Sequence, residues 1–165
     1  MIEIGRLMNL NCALLGTGRQ AKRLVNAISH NQSQIISLYS RKKEIGKKFL
    51  KETKFENAFV SSDLTSITSN SKLDIVVIAT PDFLHYEHAK IALEAGKHVY
   101  VEKPLATTVK QAQELIKISR ELNRCLYVGY HFRHVSALQF INHLFLSEYF
   151  GRIYNVNIYW GIEIA

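Results

Sequence analysis

Cysteine is scarce in this chain: Cys12 and Cys125 are the only two among 165 residues. Both fall in apolar runs that read as strands. They are expected to be small buried hydrophobes of a reducing, cytoplasmic compartment, which excludes a disulfide-stapled secreted fold. Long apolar runs are missing as well. No stretch approaches the ~20 residues of a membrane span, and residues 1–7 lack the apolar core of a signal peptide, so no membrane partner is expected. There are no internal repeats and no low-complexity segments. Hydrophobic residues make up 47% and charged residues 21% of the chain, ordinary globular values. Acidic residues are the minority among the charges, 14 Asp and Glu against 21 Lys and Arg, a formal +7. That balance favours an anionic ligand. The basic residues cluster over residues 41–54, on what reads as a solvated helical face, and no recognition motif accompanies them. Nucleic acid is therefore not expected as a partner.

What is present is an alternation. Residues 10–15 are a short apolar run ending at Gly16, the first strand. Leu24, Val25 and Ile28 then recur at helical spacing as far as His30. Residues 34–39 make a second strand, and Ser40 is expected to cap a helix with apolar positions Ile45, Phe49 and Leu50. Residues 57–60 are a weak third strand, followed by a short helix capped by Asp63 and carrying Leu64 and Ile67. Residues 73–79 form a fourth strand, almost wholly apolar, as expected where helices cover both faces. Thr80-Pro81 ends it, and Asp82 is expected to cap a helix reaching Ala95. Gly96 supplies the positive φ of a helix end, and residues 98–101 form a fifth strand. Thr108 and Gln111 have capping-box spacing ahead of a long helix, with Val109, Ala112, Leu115, Ile116 and Leu122 assigned to its inner face. Residues 125–130 are a further strand and residues 135–147 a last helix.

Strand and helix alternate with short turns from residue 10 to residue 130, which implies an α/β fold with a doubly wound parallel sheet, the Rossmann fold. Residues 1–134 are expected to form this dinucleotide-binding domain. Residues 135–165 read as a connecting helix and the first strand of an incomplete second α/β domain. In that strand, residues 152–164, Val156, Ile158 and Trp160 alternate with Asn155, Asn157 and Tyr159. An unpaired strand of this kind exposes an edge and is a route to a homo-oligomer.

Three segments carry chemistry. Gly16-Thr17-Gly18-Arg19-Gln20-Ala21 lies between the first strand and first helix. Gly16 makes the tight turn, Gly18 lets the backbone approach a pyrophosphate, and Ala21 is small enough for close helix packing. The second strand ends Tyr39-Ser40-Arg41-Lys42-Lys43, with no acid where an NAD site usually has one for the ribose hydroxyl. Ser40 and Arg41 suit a 2′-phosphate, which favours NADP over NAD. Glu102-Lys103-Pro104 closes the fifth strand, where an open α/β sheet keeps its ligand crevice, and Pro104 holds Lys103 extended or in a cis bond. The pairs His85/His88 and His131/His134 have a spacing that could bind metal from one helical face. No cysteine or acidic ligand completes either set, and no metal is expected.

Residues 79–89 (Ala-Thr-Pro-Asp-Phe-Leu-His-Tyr-Glu-His-Ala), 92–99 (ending Gly-Lys-His-Val) and 102–106 (Glu-Lys-Pro-Leu-Ala) resemble the glucose-fructose oxidoreductase/inositol dehydrogenase/MocA (Gfo/Idh/MocA) family. Gly129-Tyr130-His131-Phe132-Arg133 and Gly151-Arg152-Ile153 are similar to later family segments. The resemblance implies hydride transfer between a nicotinamide cofactor and a sugar, polyol or related hydroxyl or carbonyl substrate. It makes Lys103 the catalytic residue, in contact with the reacting hydroxyl. It sets Glu102 beside the cofactor and Ala79, Thr80, Pro81 and His85 along its crevice, with Arg133 added as a cofactor-binding residue. A positive nicotinamide nearby would suit Lys103 to proton exchange, and its own charge would stabilise a developing alkoxide. Family members carry a second domain that completes the substrate pocket, of which this sequence is expected to hold only the beginning. A non-catalytic nucleotide-binding or sensing module is the alternative.

Overall fold

The computed structural model describes residues 9–159. They fall into two compact units, the first ending at Gly129 and the second beginning at Tyr130. That division lies ahead of the expected boundary at 134, because His131–His134 form a 3₁₀ turn packed with the helix that follows it.

In the first unit the order is β1 (Asn11–Leu15), α1 (Arg19–His30), β2 (Gln34–Tyr39), α2 (Lys43–Lys51), β3 (Phe59–Ser61), α3 (Leu64–Thr68) and β4 (Ile75–Ile78), then a 3₁₀ turn (Asp82–Leu84), α4 (His85–Glu94), β5 (His98–Val101), α5 (Val109–Glu121) and β6 (Leu126–Val128). The six strands form one sheet in the order β3-β2-β1-β4-β5-β6, and every pairing is parallel. The chain starts in the middle, winds outward through β2 and β3, then returns to β4 beside β1 and winds the other way. The doubly wound expectation holds, with its switch point between β1 and β4.

Alternate residues of the central strands feed two cores. Ala13, Leu15, Val76, Ile78, Val99 and Val101 pack with Leu64 and Ile67 of α3, Ala89, Ala92 and Leu93 of α4, and Leu115 of α5. Cys12, Leu14, Val77, Ile35 and Leu38 pack with Ala21 and Val25 of α1 and with Phe49 and Leu50 of α2. A strand buried on both faces needs apolar residues at every position, which is why β1 and β4 show no alternation in sequence. Each fully buried Leu or Ile side chain stabilises the fold by about 1.5–3 kcal/mol. The β1–β2 register slips between Cys12 and Ala13, and beside the slip Ser37, 1% exposed, keeps a hydroxyl with no hydrogen-bond partner among the described residues. At the opposite end of the sheet from the β-strand C-termini, Lys97 is buried and donates from Nζ to the carbonyls of Asn70 (2.8 Å) and Leu73 (3.0 Å). Gly96 turns the chain there at φ +74°, as expected of a helix end.

Caps and helix faces differ from expectation in places. Asp63 caps α3, accepting from the Thr65 and Ser66 amides, and Thr108 accepts from Gln111 N at the start of α5. Ser40 does not cap α2: the cap position is Lys42, and the Ser40 hydroxyl turns back to the Lys42 carbonyl at 2.9 Å. Asp82 is not a helix cap either, since it lies in the 3₁₀ turn and accepts from the adjacent Phe83 amide. Ile45, Val109, Ile116 and Leu122 are exposed, and the inner face of α5 is built on Leu115, Ile118 and Ser119. Cys12 is buried, and its thiol is pushed up to about 12 by burial, then by Asp74. Cys125 is exposed: its backbone bonds His98 Nδ1 and Val99 N just before β6, leaving the side chain outward.

The second unit holds α6 (Ser136–Leu146) after the 3₁₀ turn. Residues 152–159 form no ladder, having no partner strand among the described residues, and their side chains are exposed; Trp160 and the remainder of the expected strand lie outside the described residues. No helix among the described residues is long and apolar enough to cross a membrane.

Candidate functional site

At the switch point the ends of β1, β2 and β4 meet on Gly16. Its amide donates to the Tyr39 carbonyl (3.1 Å), its φ is +107°, and a Cβ there would sit 2.6 Å from the Ala79 carbonyl oxygen. Only glycine satisfies both the conformation and the close approach. Gly18 is different. It precedes α1 at an ordinary φ of −79°, and a Cβ there would meet nothing within 4 Å. The opening amides of α1 lack intrahelical partners, its first turn carries no acid, and Ala21 is fully buried beneath it. This is an anion-accepting helix end with free space above it.

The space belongs to a crevice of about 870 Å³. The glycine-loop residues Gly16, Thr17, Gly18, Arg19 and Gln20 line one wall. Tyr39, Ser40, Arg41, Lys42 and Ile45 line the β2 side, and Ala79, Thr80, Pro81 and Leu84 the β4 side. No acid stands at the end of β2. Arg41 is exposed there, whereas Ser40 is 6% exposed with its hydroxyl proton committed to Lys42. An amide-rich helix end, an arginine and no opposing carboxylate fit a dinucleotide. Tyr39, Lys42, Ile45 and Leu84 were missed from sequence; Tyr39 was findable as the last residue of β2, since ligands gather at the carboxyl ends of strands.

Across the switch point, Ala79 N donates to the Leu15 carbonyl (2.9 Å) and Glu102 N to the Ile78 carbonyl (2.9 Å), fixing the ends of β4 and β5. The Glu102 side chain, 9% exposed, accepts from Gln20 Nε2 (3.5 Å) and Tyr100 Oη (3.3 Å). No lysine or arginine pairs with it among the described residues. Burial, then the Glu102 charge, pushes the Tyr100 phenol up to about 12. Lys103 is exposed in the loop after β5, and its bond to Pro104 is cis.

His85 does not line the crevice as expected. It is 2% exposed, with Nδ1 against the Pro104 carbonyl and Nε2 against the Thr80 carbonyl. His88, on the same face of α4, meets the Thr80 hydroxyl through Nδ1 at 3.1 Å and the Tyr39 ring edge-on. Burial is the main cause holding His88 below the usual imidazole range. The spacing that suggested a metal pair thus serves to grip the end of β4. Arg133 belongs to the second unit, where its guanidinium lies 6.0 Å from the Tyr130 ring centroid and its carbonyl accepts from Gln139.

Chemically, the first unit can hold an anionic dinucleotide at the switch point and present a lysine at the end of the neighbouring strand. Comparison with known proteins supports the dinucleotide-binding fold. An uncharacterised oxidoreductase of Synechocystis is 33% identical over 153 residues, covering 92% of this chain and 41% of its own length. The D-glucoside 3-dehydrogenase of Escherichia coli is 29% identical over 147 residues, covering 88% of this chain and 41% of that protein. The crystal structure of the WlbA dehydrogenase from Bordetella pertussis, in complex with NADH and UDP-GlcNAcA, superposes with a TM-score of 0.81 at 28% identity, covering 88% of this chain and 42% of that one. The chain therefore spans about two-fifths of the length of these relatives. Residues 10–130 match the family described as "Oxidoreductase family, NAD-binding Rossmann fold", and the chain belongs to that Gfo/Idh/MocA family.

Proposed function

We propose that the chain is the cofactor-binding part of an NADP-preferring oxidoreductase acting on a sugar, polyol or related hydroxyl or carbonyl substrate. The observation that carries this reading is the crevice at the β1/β4 switch point, with Arg41 and no carboxylate at the end of β2. Gly16, Thr17, Gly18 and the opening amides of α1 would hold the pyrophosphate, with Arg19 and Gln20 beside it. Arg41 would grip a 2′-phosphate, joined by Lys42, while Ser40 shapes the loop through its bond to Lys42. Ala79, Thr80, Pro81 and Glu102 would border the nicotinamide. When bound, the nicotinamide supplies the two-electron chemistry, giving or taking a hydride.

The chain's own contribution to the chemistry is a proton. As the substrate hydroxyl becomes a carbonyl, its proton passes to Lys103 Nζ; in the reverse direction Lys103 returns it. A protonated Lys103 also stabilises an alkoxide developing at that oxygen. Its exposed position, next to a strand end and clear of other partners among the described residues, suits both tasks. The sugar or polyol class is supported by the relatives' names, and Arg133 as a further cofactor contact rests on the family resemblance alone. A cytoplasmic location agrees with two free cysteines. Self-association is supported by the exposure of Tyr154, Val156, Ile158 and Tyr159; a purely monomeric sedimentation profile would remove it.

Fluorescence titration with NADPH and NADH tests the reading. NADPH should bind more tightly than NADH, and Arg41→Ala should weaken NADPH by roughly tenfold, about 1.4 kcal/mol, with little change for NADH. No binding of either nucleotide would refute the function, and equal NADPH affinity in the variant would refute the preference.

A further inference from the structure

His85 is buried in a way that binding a nucleotide does not require. Nδ1 lies 2.6 Å from the Pro104 carbonyl oxygen and Nε2 lies 2.8 Å from the Thr80 carbonyl oxygen. Carbonyl oxygens only accept, and a neutral imidazole carries a single N–H. With either neutral tautomer, a ring lone pair would face a carbonyl lone pair at one of these two distances. Only the doubly protonated ring donates at both ends. At 2% exposure, water does not relieve the mismatch, and an unmade hydrogen bond at a buried polar group is costly.

Both partners belong to the candidate site. Thr80 lies just beyond β4 on the crevice wall, and Pro104 directly follows Lys103. The ring therefore bridges the strand end that borders the cofactor and the loop that carries the lysine. Among the described residues no carboxylate bonds to the ring. The titratable groups on the surrounding elements include Asp82 in the 3₁₀ turn, Tyr86, Glu87, His88, Lys90 and Glu94 on α4, Glu102 and Lys103 after β5, and Lys110, Glu114, Lys117, Arg120 and Glu121 on α5. His88 holds the Thr80 side chain while His85 holds its carbonyl, so the two histidines divide one residue between them.

We propose that His85 stands as an imidazolium in the folded chain and is a positioning residue for Lys103, its two N–H groups tying the Thr80 carbonyl to the Pro104 carbonyl. The positioning role rests on the reading of Lys103 as the proton-exchanging group. A ring that gives up one proton must release one of the two carbonyls. The lysine-bearing loop is then no longer fixed to the end of β4, and its hold on Lys103 loosens as pH rises.

The whole chain, labelled with ¹⁵N-histidine and ¹³C-lysine, provides the test. His85 is assigned through the α4 backbone, and long-range ¹⁵N–¹H spectra are recorded between about pH 6 and about pH 9, a span that brackets the ordinary imidazole range. Both His85 ring nitrogens should give protonated signals at neutral pH, and the Lys103 side-chain resonances should move as the second proton is lost. A bare ring nitrogen at neutral pH would overturn the imidazolium. Lys103 resonances that stay fixed while His85 titrates would overturn the positioning role. His85→Gln, which can donate at one end only, should leave Lys103 at its high-pH positions at all pH values; wild-type Lys103 positions in a folded variant would overturn the proposal. If that variant does not fold, the wild-type spectra still decide. NADPH titration of the same sample keeps the two levels apart, since absence of binding would remove the dinucleotide reading without altering the ring's protonation.

Discussion

Gly16 and Gly18 stand two residues apart, and the structure assigns them opposite consequences. In Gly16→Ala the new side chain must adopt φ +107°, and its Cβ would lie 2.6 Å from the Ala79 carbonyl oxygen. A non-glycine residue in such a region costs about 1–3 kcal/mol. The obstruction is backbone, so the end of β4 must move, and forced repacking adds about 1–3 kcal/mol. The sum, about 2–6 kcal/mol, is a large part of a typical domain stability of about 5–15 kcal/mol. In Gly18→Ala neither term applies, because φ is −79° and, apart from its own chain neighbours, no atom of the described residues lies within 4 Å of the added carbon. The fold should lose only about 0.5–1 kcal/mol, from a poorer residue before the helix. The added methyl group instead occupies the space where a pyrophosphate would approach, and NADPH affinity should fall at least tenfold, about 1.4 kcal/mol. Urea unfolding and NADPH fluorescence on both variants separate the effects. A Gly16→Ala chain with an unchanged urea midpoint, or a Gly18→Ala chain that binds like wild type, would refute the assignment.

Three other outcomes follow from local geometry. A Cβ on Gly129 would collide with the Tyr100 hydroxyl and lie 3.3 Å from Glu102 Oε1, so Gly129→Ala should cost about 1–3 kcal/mol. Adding Tyr100→Phe should restore part of that loss in urea unfolding, and no restoration would sink the explanation. Ser37→Ala removes a buried hydroxyl without a partner among the described residues and should be neutral or stabilising by up to about 1 kcal/mol, with a marked drop in thermal midpoint counting against it. His88 is held below 6.5, chiefly by burial, so the unfolded chain takes up this proton before the folded one does. Its contribution is present above that value and is lost as pH falls through the folded one. His88→Gln should therefore flatten the acid side of the stability profile relative to wild type; parallel profiles would contradict the assignment.

The fold was largely legible because local signals and topology agree. β2 and β5 are bounded as their apolar runs suggest, and Asp63 and Thr108 cap the helices they precede. The inner face of α5 was legible only in part, at Leu115. Apolar residues lie on more than one side of it, and only packing against α4 and the sheet selects Leu115 and Ile118 over Val109, Ile116 and Leu122. Ser40 had the chemistry of a cap, but the loop turns its hydroxyl to Lys42 before the helix begins. At the candidate site the glycine loop, Arg41 and the ends of β4 and β5 were visible as motifs at strand termini. The role of His85 was hidden, because its partners are backbone carbonyls at Thr80 and Pro104, and a carbonyl leaves no mark in a side-chain pattern. The Gln20–Glu102 contact was hidden for a related reason, as it joins residues far apart in the chain that only the sheet order brings together.

The buried Lys97 gives this molecule a built-in reporter of its own opening. Its amine is sequestered at the edge of a core, with two of its protons held by the carbonyls of Asn70 and Leu73. An amine-modifying reagent can reach it only after the α3–β4 connection parts from the turn before β5, while exposed lysines such as Lys47 or Lys110 react at once. The rate at which Lys97 becomes labelled is therefore a clock for that separation, readable by mass spectrometry on the unmodified sequence.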